Sequence, residues 1–464
     1  MTVDPRFAPH NTHREDPSRF ATLDPQLREL RRVPIAYRYP MLAKLPVEEP
    51  GIYSITGGRR VGKSTVLKQW MADLLDRGVS PERILYLTGE LIDDHHALVA
   101  LLTRTGLGRS DPRPAYLLVD EVTYIRGWDR GVKYLADAGM LENVIVILTG
   151  SDSVVIREAR TLLPGRRGRA ARVDFHLYPL SFAEFVEVAG AAHTAPLRHE
   201  AGQEPGPDSA DALTRAFESY LLHGGFLTAI NDVAAEGRIQ PSTFAVYADW
   251  IRGDMLKRGK QEVYLEEVLG AVVRRYGSQV TWNALARDLS IDHPATVADY
   301  LGLLARMDVL VVQHALREDR LAAAPKKARK VAFSDPFILH AVRSWLDPVA
   351  DPFTSQVKPA LADPEWAGKM AEACVAAHHH RLHPTFYIKG DGEVDVAFVA
   401  GEGFQPVEVK WTAQIRSADL KQARRYPNSI VCSKLAVARV HGLPNELLPH
   451  HLQRLGPSPH YVTW

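Results

Sequence analysis

Short apolar runs rich in β-branched residues alternate with helical periods through the first third of the chain. Residues 51–56 (GIYSIT), 83–90 (RILYLTGE), 115–121 (AYLLVDE) and 143–150 (NVIVILTG) read as buried strands, and 171–177 (ARVDFHL) as one more. A helical period fills 63–77, and further helical segments separate the later runs. This βα alternation predicts a parallel sheet covered on both faces. Residues 1–20 are polar and Pro-rich and are expected to be poorly ordered, and 23–45 are amphipathic and basic. Periodicity is lost over 190–210, which reads as a loop or insertion, and helical patterns then continue to about residue 260. Residues 262–313 give three short helices and an apolar run, 346–365 are rich in Pro and Asp and read as a linker, and the remainder is mixed α and β. The expected boundaries divide the chain into 1–45, 46–190, 191–260, 261–345 and 346–464.

Composition narrows the picture only slightly. The chain has 464 residues, 46% hydrophobic and 24% charged, with a formal net charge of +1. Size and composition fit a globular chain of about three domains, and no bulk charge points to nucleic acid. The two cysteines, Cys374 and Cys432, form no CxxC pair, so reduced thiols and a cytoplasmic location are expected. The N-terminus lacks the apolar region of a signal peptide, and no apolar run approaches a membrane span.

The most specific chemistry lies between the first strand and its helix. Gly57, Gly58, Arg59, Arg60, Val61, Gly62, Lys63 and Ser64, followed by Thr65, fit GxxxxGK[ST] in that strand-to-helix setting. Backbone N–H groups would curl around phosphates, with Lys63 reaching the β- and γ-phosphates and Ser64 a Mg²⁺ ion. A buried strand then ends in Asp120-Glu121, where a pair of acids is costly unless it meets metal or water. Asp120 is expected to hold Mg²⁺ and Glu121 to polarise the attacking water; the bland alternative is a helix cap. Thr149 and Ser151, at the end of the run 143–150, stand where a hydroxyl orients water or meets the γ-phosphate, or merely makes a turn. No NKxD guanine signature is present, so ATP is the expected nucleotide.

Taken together, GGRRVGKST, YLLVDEV, VIVILTGSDS and LLPGRRGRAARVDFHLYPLSFAEF resemble a family of bacterial and archaeal AAA+ type ATPases. HGGF at 223–226 resembles that family's lid, with Leu227 where Pro is usual. The resemblance implies a catalytic Glu121, a sensor at Thr149 or Ser151, and arginine fingers among Arg166, Arg167 and Arg169. A finger needs a neighbouring subunit, so a homo-oligomer is implied; a solvated or DNA-facing basic loop is the alternative for these arginines.

Downstream, helix, turn, helix and apolar strand over 266–313 follow the winged helix-turn-helix order, and the family core is often followed by such a module. Its second helix, from about Thr296, would face a major groove, although Asp292 and Asp299 flank that face. The segment 325–330 (PKKARK) is a stronger electrostatic candidate for DNA, or else a solvated basic loop. At the C-terminus, 392–399 and 405–411 read as a β-hairpin whose alternation sets Asp395, Glu408 and Lys410 on one face. Two carboxylates and a lysine so placed form a Mg²⁺-nuclease constellation, or else a plain surface salt bridge. The pattern resembles the PD-(D/E)xK restriction-endonuclease-like fold, with Val394-Asp395 in place of Pro-Asp. Glu372 is implied as the helical acid, and Gln422 and Tyr426 as the QxxxY pair of RecB-like nucleases, one helical turn apart. Metal ligands are thus expected at Ser64 and Asp120 in one site and at Glu372, Asp395 and Glu408 in the other.

The histidines at 378–380, the cluster 93–96 and the aromatic residues of 124–128 read as surface structure or packing. The expected architecture is α/β: a P-loop core of AAA+ type over 46–190, an insertion and helical lid over 191–260, a winged helix over 261–345 and a nuclease-like domain over 346–464. The expected activity is an ATPase acting on DNA with a Mg²⁺-dependent nuclease. The alternative is a nucleotide-dependent DNA- or protein-binding switch, of defence or toxin–antitoxin type, whose nuclease-like domain binds without cutting.

Overall fold

The computed structural model describes residues 3–108, 112–150, 163, 165–168, 170, 172–193 and 207–461. The chain divides into two compact units, Met1–Tyr178 and Pro179–Trp464.

The first unit is built on five parallel strands: β1 (Gly51–Thr56), β2 (Ile84–Thr88), β3 (Ala115–Asp120), β4 (Val144–Thr149) and β5 (Asp174–His176). Their order across the sheet is β2-β3-β4-β1-β5. Both faces are covered, which is why the strands read as unbroken apolar runs. Leu85, Leu117, Val119, Val146 and Leu148 face the helices His95–Thr105 and Trp128–Asp137 in one core. On the other face Trp70, from the helix Lys63–Asp76, packs edge-on against Tyr116 of β3.

Contrary to the expectation of disorder over 1–20, residues from 3 onward fold as short turns, Pro5–His10, Thr12–Arg14 and Pro17–Arg19, and cover the edge strand β2. Asn11 does what a neighbouring strand would do. Its Nδ2 donates to the carbonyl of Tyr86 at 2.8 Å, and its Oδ1 accepts from the Tyr86 N–H at 2.9 Å. Arg14 donates to the carbonyl of Ile84. An open strand edge is a row of unpaired backbone groups, and these polar side chains satisfy them. Phe7 is fully buried beneath the segment, and Asp24 pairs with buried Lys68 at 3.0 Å.

In the second unit, helices Phe182–His193, Pro207–His223, Leu227–Glu236 and Pro241–Lys257 precede a sheet of ten strands. The motif residues of its helical part have local causes. Ser181 and Glu184 form a capping box, with the Ser181 N–H donating to Glu184 Oε2 at 2.7 Å and the Glu184 N–H to Ser181 Oγ at 3.2 Å. Gly224 has φ of 59°, and a Cβ there would lie 1.8 Å from Asp335 Oδ1, so only glycine fits.

The sheet strands are β6 (Gln279–Val280), β7 (Leu310–Arg317), β8 (Ala322–Ala323), β9 (Arg329–Phe333), β10 (Thr385–Lys389), β11 (Glu393–Ala400), β12 (Gly403–Lys410), β13 (Ile430–Ser433), β14 (Arg439–Val440) and β15 (Leu443–Leu447). They run β14-β15-β13-β12-β11-β10-β7-β9-β6, with β8 on β7. The join is the parallel pair β7–β10, so strands before and after residue 345 share one ladder. The helix Pro364–Leu382 packs on this sheet.

The stretch 346–365 is not the linker its composition suggested. It holds a turn, Phe353–Val357, and a short helix, Lys358–Ala362, with Phe353, Val357 and Ala360 buried. Its prolines and aspartates mark helix starts: Asp351 and Asp363 accept from the N–H groups of Thr354 and Glu365, and Pro364 opens the long helix, where a missing N–H matters least. Nor are the histidines at 378 and 379 surface residues. Both are buried, His378 Nε2 accepting from the Phe182 N–H at 2.9 Å and His379 stacking on Phe398.

Replacing Asn11 by Ala leaves the Tyr86 N–H and carbonyl unpaired under a buried strap. Urea unfolding is expected to show a loss of about 2–3 kcal/mol for Asn11→Ala, against roughly 0.5 kcal/mol or less for the exposed Arg6→Ala.

Candidate functional site

Two groups of chemistry-bearing residues emerge, one in each unit. In the first, β1 ends at Thr56 and the chain turns through the glycine-rich loop into the helix Lys63–Asp76. Gly57 and Gly62 have φ of 141° and 102°. A Cβ on Gly57 would lie 2.3 Å from the Leu177 carbonyl, and one on Gly62 would lie 2.7 Å from Tyr39 Oη. Tyr39 in turn donates to the Val61 carbonyl at 2.5 Å, bracing the loop from behind. Arg60 is exposed with φ of 59°, Gly58 and Val61 are buried, and Arg59, Ser64 and Thr65 are half-buried. Lys63 is buried, and its Nζ donates to the carbonyls of Gly57 and Gly58 at 3.0 and 2.8 Å.

Strand order brings the other predicted residues to the same edge. β4 lies between β1 and β3, and register aligns Ile55 with Thr149 and Val119 with Leu148. Thr149 therefore stands between the loop-bearing strand and Asp120-Glu121. Its hydroxyl donates to Asp120 Oδ1 and accepts from the Glu121 N–H at 3.3 Å. The other Asp120 oxygen accepts from the Tyr86 hydroxyl at 2.6 Å, so both carboxylate oxygens are held. Glu121 has φ of 54°, a strained value for a non-glycine residue, at the point where the strand turns away. Sequence reasoning missed Tyr86, whose only signal was an aromatic residue in an apolar run.

Of the arginines, Arg166 pairs with Asp137 at 2.5 Å. Arg167 is mostly buried, paired with Asp174 at 2.5 Å and donating to the carbonyls of Ile52 and Val173, which ties its loop to β1 and β5. Ser151 and Arg169 lie outside the described residues.

The second group lies on the large sheet. Register sets Val396 opposite Val407, so Asp395 on β11 comes beside Glu408 and Lys410 on β12. Lys410 Nζ lies 2.5 Å from Glu408 Oε1 and 3.4 Å from Asp395 Oδ2. Glu372, from the helix Pro364–Leu382, joins them together with two residues the sequence did not suggest, Glu393 and Lys330. Ligand oxygens of Glu372, Glu393 and Asp395 all lie within 4.8 Å of one another. Lys330 Nζ pairs with Glu372, with Glu393 at 2.5 Å and with Asp395 at 3.8 Å. Lys330 closes the segment 325–330, so that reading as a solvated or DNA-facing basic loop fails for it: it is 3% exposed, while Lys326 and Lys327 are exposed. A buried ammonium needs carboxylates, and strand alternation on β9 turns Lys330 toward them.

The electrostatics follow from burial and pairing. Burial pushes the Glu372 carboxyl up to about 7, with Lys330 pulling against it. Burial, and then the charge of Asp395, push Glu408 up to about 8. Asp395 is buried too, yet Lys410 and Lys330 outweigh that and hold it below the ordinary carboxylate range. Both lysines are raised despite burial, by the acids around them.

No continuous helix carries Gln422 and Tyr426. They flank a short 3₁₀ turn, Ala423–Arg425, because Pro427 forces Tyr426 into an extended conformation with φ of −111° and ψ of 115°. Gln422 Oε1 accepts from the Gly392 N–H at 3.3 Å and Nε2 donates to Tyr426 Oη at 3.4 Å, while Tyr426 donates to Glu318. The pair braces the β10–β11 turn.

Residues 49–186 match a family model described as an AAA domain. This part of the chain is similar to AAA domains. Residues 214–348 match a second model, described as a domain of unknown function (DUF8612). A relative from Haemophilus influenzae, described as an uncharacterized protein, is 26% identical over 261 residues, 54% of this chain and 59% of its own length. An uncharacterized protein of Methanocaldococcus jannaschii is 31% identical over 137 residues, 28% of this chain and 26% of that protein. The chain thus spans about three-fifths of the first relative and a quarter of the second. Among solved structures, the Walker-type ATPase of Pyrococcus abyssi is 16% identical, with 63% of this chain and 91% of that one covered and a TM-score of 0.37. The ORC2 protein of Aeropyrum pernix, in complexes with ADPNP and ADP, is 12% identical, with 65% and 89% covered and a TM-score of 0.36. No helix among the described residues is long and apolar enough to cross a membrane.

The glycine-rich loop leaves no room for a side chain at Gly62. Titration with a fluorescent ATP analogue is expected to show affinity falling by about tenfold or more in Gly62→Ala, through a strained φ and a collision with Tyr39.

Proposed function

We propose that the protein binds and hydrolyses ATP and acts on DNA, with a metal-dependent, nuclease-like site in its second unit. The observation that carries the ATPase half is the insertion of β4 between β1 and β3, which sets Thr149 between the phosphate loop and Asp120-Glu121. Backbone N–H groups of 57–65 would cradle the phosphates, and Lys63, already at the mouth of the loop, would turn from the carbonyls of Gly57 and Gly58 to phosphate oxygens. Ser64 and Asp120 would hold Mg²⁺, which when bound supplies charge neutralisation at the β- and γ-phosphates. Glu121 would orient and deprotonate water, with Thr149 fixing its backbone. Arg166 is the better-exposed candidate for a finger reaching a neighbouring subunit of a homo-oligomer, since Arg167 is tied to its own sheet.

In the second unit, the helices Glu262–Arg274, Trp282–Arg287 and Pro294–Arg306 and the hairpin β7–β8 follow the order of a winged helix, which supports DNA contact by the helix from Pro294 and by exposed Lys326 and Lys327. The four carboxylates and Lys410 fit the PD-(D/E)xK reading. Glu408 Oε2 is buried with no hydrogen-bond partner among the described residues, and a divalent ion would satisfy it. Glu372, Asp395 and Glu408 would hold Mg²⁺, which supplies a Lewis acid at the scissile phosphate; Lys410 would orient water or stabilise developing charge.

A second reading is favoured by one observation, the Lys330 ammonium among the carboxylates. On that reading the second unit binds DNA or a protein without cutting, and the protein is a nucleotide-dependent switch of the defence or toxin–antitoxin kind.

Steady-state hydrolysis with and without DNA, and DNA cleavage in Mg²⁺ or Mn²⁺, separate the readings. Lys63→Ala is expected to lower ATP hydrolysis by about 100-fold or more, and Lys410→Ala to lower cleavage similarly while leaving hydrolysis intact. Hydrolysis surviving Lys63→Ala sinks the phosphate-loop assignment, and cleavage surviving Lys410→Ala sinks the nuclease assignment. Cleavage absent from the wild-type protein favours the switch. Hydrolysis lost in Arg166→Ala and restored by mixing with Lys63→Ala subunits identifies a finger acting between subunits.

A further inference from the structure

The carboxylate cluster of the second unit already contains a cation. Lys330 is 3% exposed, and its ammonium meets one oxygen each of Glu372, Glu393 and Asp395. Those are the same three residues whose oxygens lie within 4.8 Å of one another, a span that a single hard divalent ion bridges with oxygen ligands at about 2.0–2.6 Å. An ammonium with three donors and a divalent ion with several open coordination positions compete for the same lone pairs.

In this cluster the acids outnumber the cations. Four carboxylates face two lysines, Lys330 and Lys410. Glu408 is 3% exposed, its Oε1 engages Lys410, and its Oε2 has no hydrogen-bond partner among the described residues. A buried carboxylate oxygen left without donor or cation is costly, and it sits beside Asp395 and Glu372. The cluster therefore offers at least one ligand oxygen that its two lysines do not satisfy.

Lys330 also has a tether that sets where it can go. It lies on β9, which pairs with β7 on one side and β6 on the other. Gln279 of β6 donates to Glu393 as well, so two strands of the same segment hold that acid. The residue before it on β9, Arg329, stands over the Trp282 ring at 4.7 Å.

We propose that Lys330 is a tethered counter-ion standing in the place of a divalent cation, and that a metal ion enters the Glu372–Glu393–Asp395–Glu408 cluster only by displacing it. The inference rests on the metal-binding half of the function proposed above, and it adds two residues, Lys330 and Glu393, that the motif does not contain. Lys330 acts here as a positioning residue: it keeps the acids folded together and sets the affinity of the site.

The test uses the full nucleotide-free chain, wild type and Lys330→Met, titrated with Mn²⁺ by calorimetry and by the electron paramagnetic resonance signal of free Mn²⁺. The expected result is binding tighter by roughly tenfold or more in Lys330→Met, lost again in Lys330→Met/Asp395→Asn. Mn²⁺ should also raise the melting temperature of Lys330→Met far more than that of the wild type. If Lys330→Met does not fold in chelator, Lys330→Gln, whose amide can still donate to Glu372 or Glu393, carries the same comparison. Equal Mn²⁺ affinity in wild type and the folded variant, or weaker binding in the variant, overturns the proposal. Cleavage of DNA is read separately. Tight Mn²⁺ binding by Lys330→Met without cleavage by any variant sinks the nuclease reading and leaves the counter-ion standing. Equal affinity with cleavage does the reverse.

Discussion

Three acids on one sheet face and a fourth from the helix packed against it are drawn together by two lysines. Glu372, Glu393, Asp395 and Glu408 come from a helix and two strands, and Lys330 and Lys410 hold them together. Removing one partner from such a group costs roughly 3–5 kcal/mol, because the charge left behind has no water to return to. That magnitude exceeds what any single surface contact contributes, so these pairs add to the backbone pairing that holds β9. Among the described residues the sheet joins the two strand groups through one short parallel pair, β7–β10, and the ions reinforce that join from one face.

In the first unit a different chain of contacts does the corresponding work. Asp120 is gripped by Thr149 and Tyr86, the Tyr86 ring lies under the Lys68 ammonium at 3.7 Å, and Lys68 pairs with Asp24. Lys68 belongs to the helix that follows the glycine-rich loop, one turn beyond Ser64. The N-terminal strap, the loop helix and the acid at the end of β3 are thus linked by buried polar contacts, where a missing partner matters more than in water. An N-terminal segment that only shielded an edge would need no charge pair; this one reaches the residues that would meet nucleotide.

The parallel sheet and its loop were legible because their signals are local. Buried strands read as apolar runs, and the glycine-rich turn occurs where strand must become helix. Asp395, Glu408 and Lys410 were legible as face-mates because alternation along a hairpin is a period-two rule. What escaped depends on contacts far apart in sequence. Asn11 imitates a strand by side-chain hydrogen bonds, which leave no periodic trace. Lys330 looks like any other lysine of a basic run until β9 is set beside the acids. The prolines and aspartates of 346–365 fit a linker and a series of helix starts equally well, and only the burial of Phe353 and Val357 decides between them. Gln422 and Tyr426 have helical spacing, but Pro427 ends the helix that spacing presupposes.

The segment 279–333 and the carboxylate cluster read in the sequence as separate modules, each with its own chemistry. In the folded chain they share atoms of one site. Gln279 and Lys330 both hold Glu393, and Gln313 of β7 donates to the backbone carbonyls of Phe386 and Asp395 at 3.0 and 3.2 Å. A displacement of β9 large enough to withdraw Lys330 would break ion pairs with three acids at once, and one that left Lys330 in place would keep them.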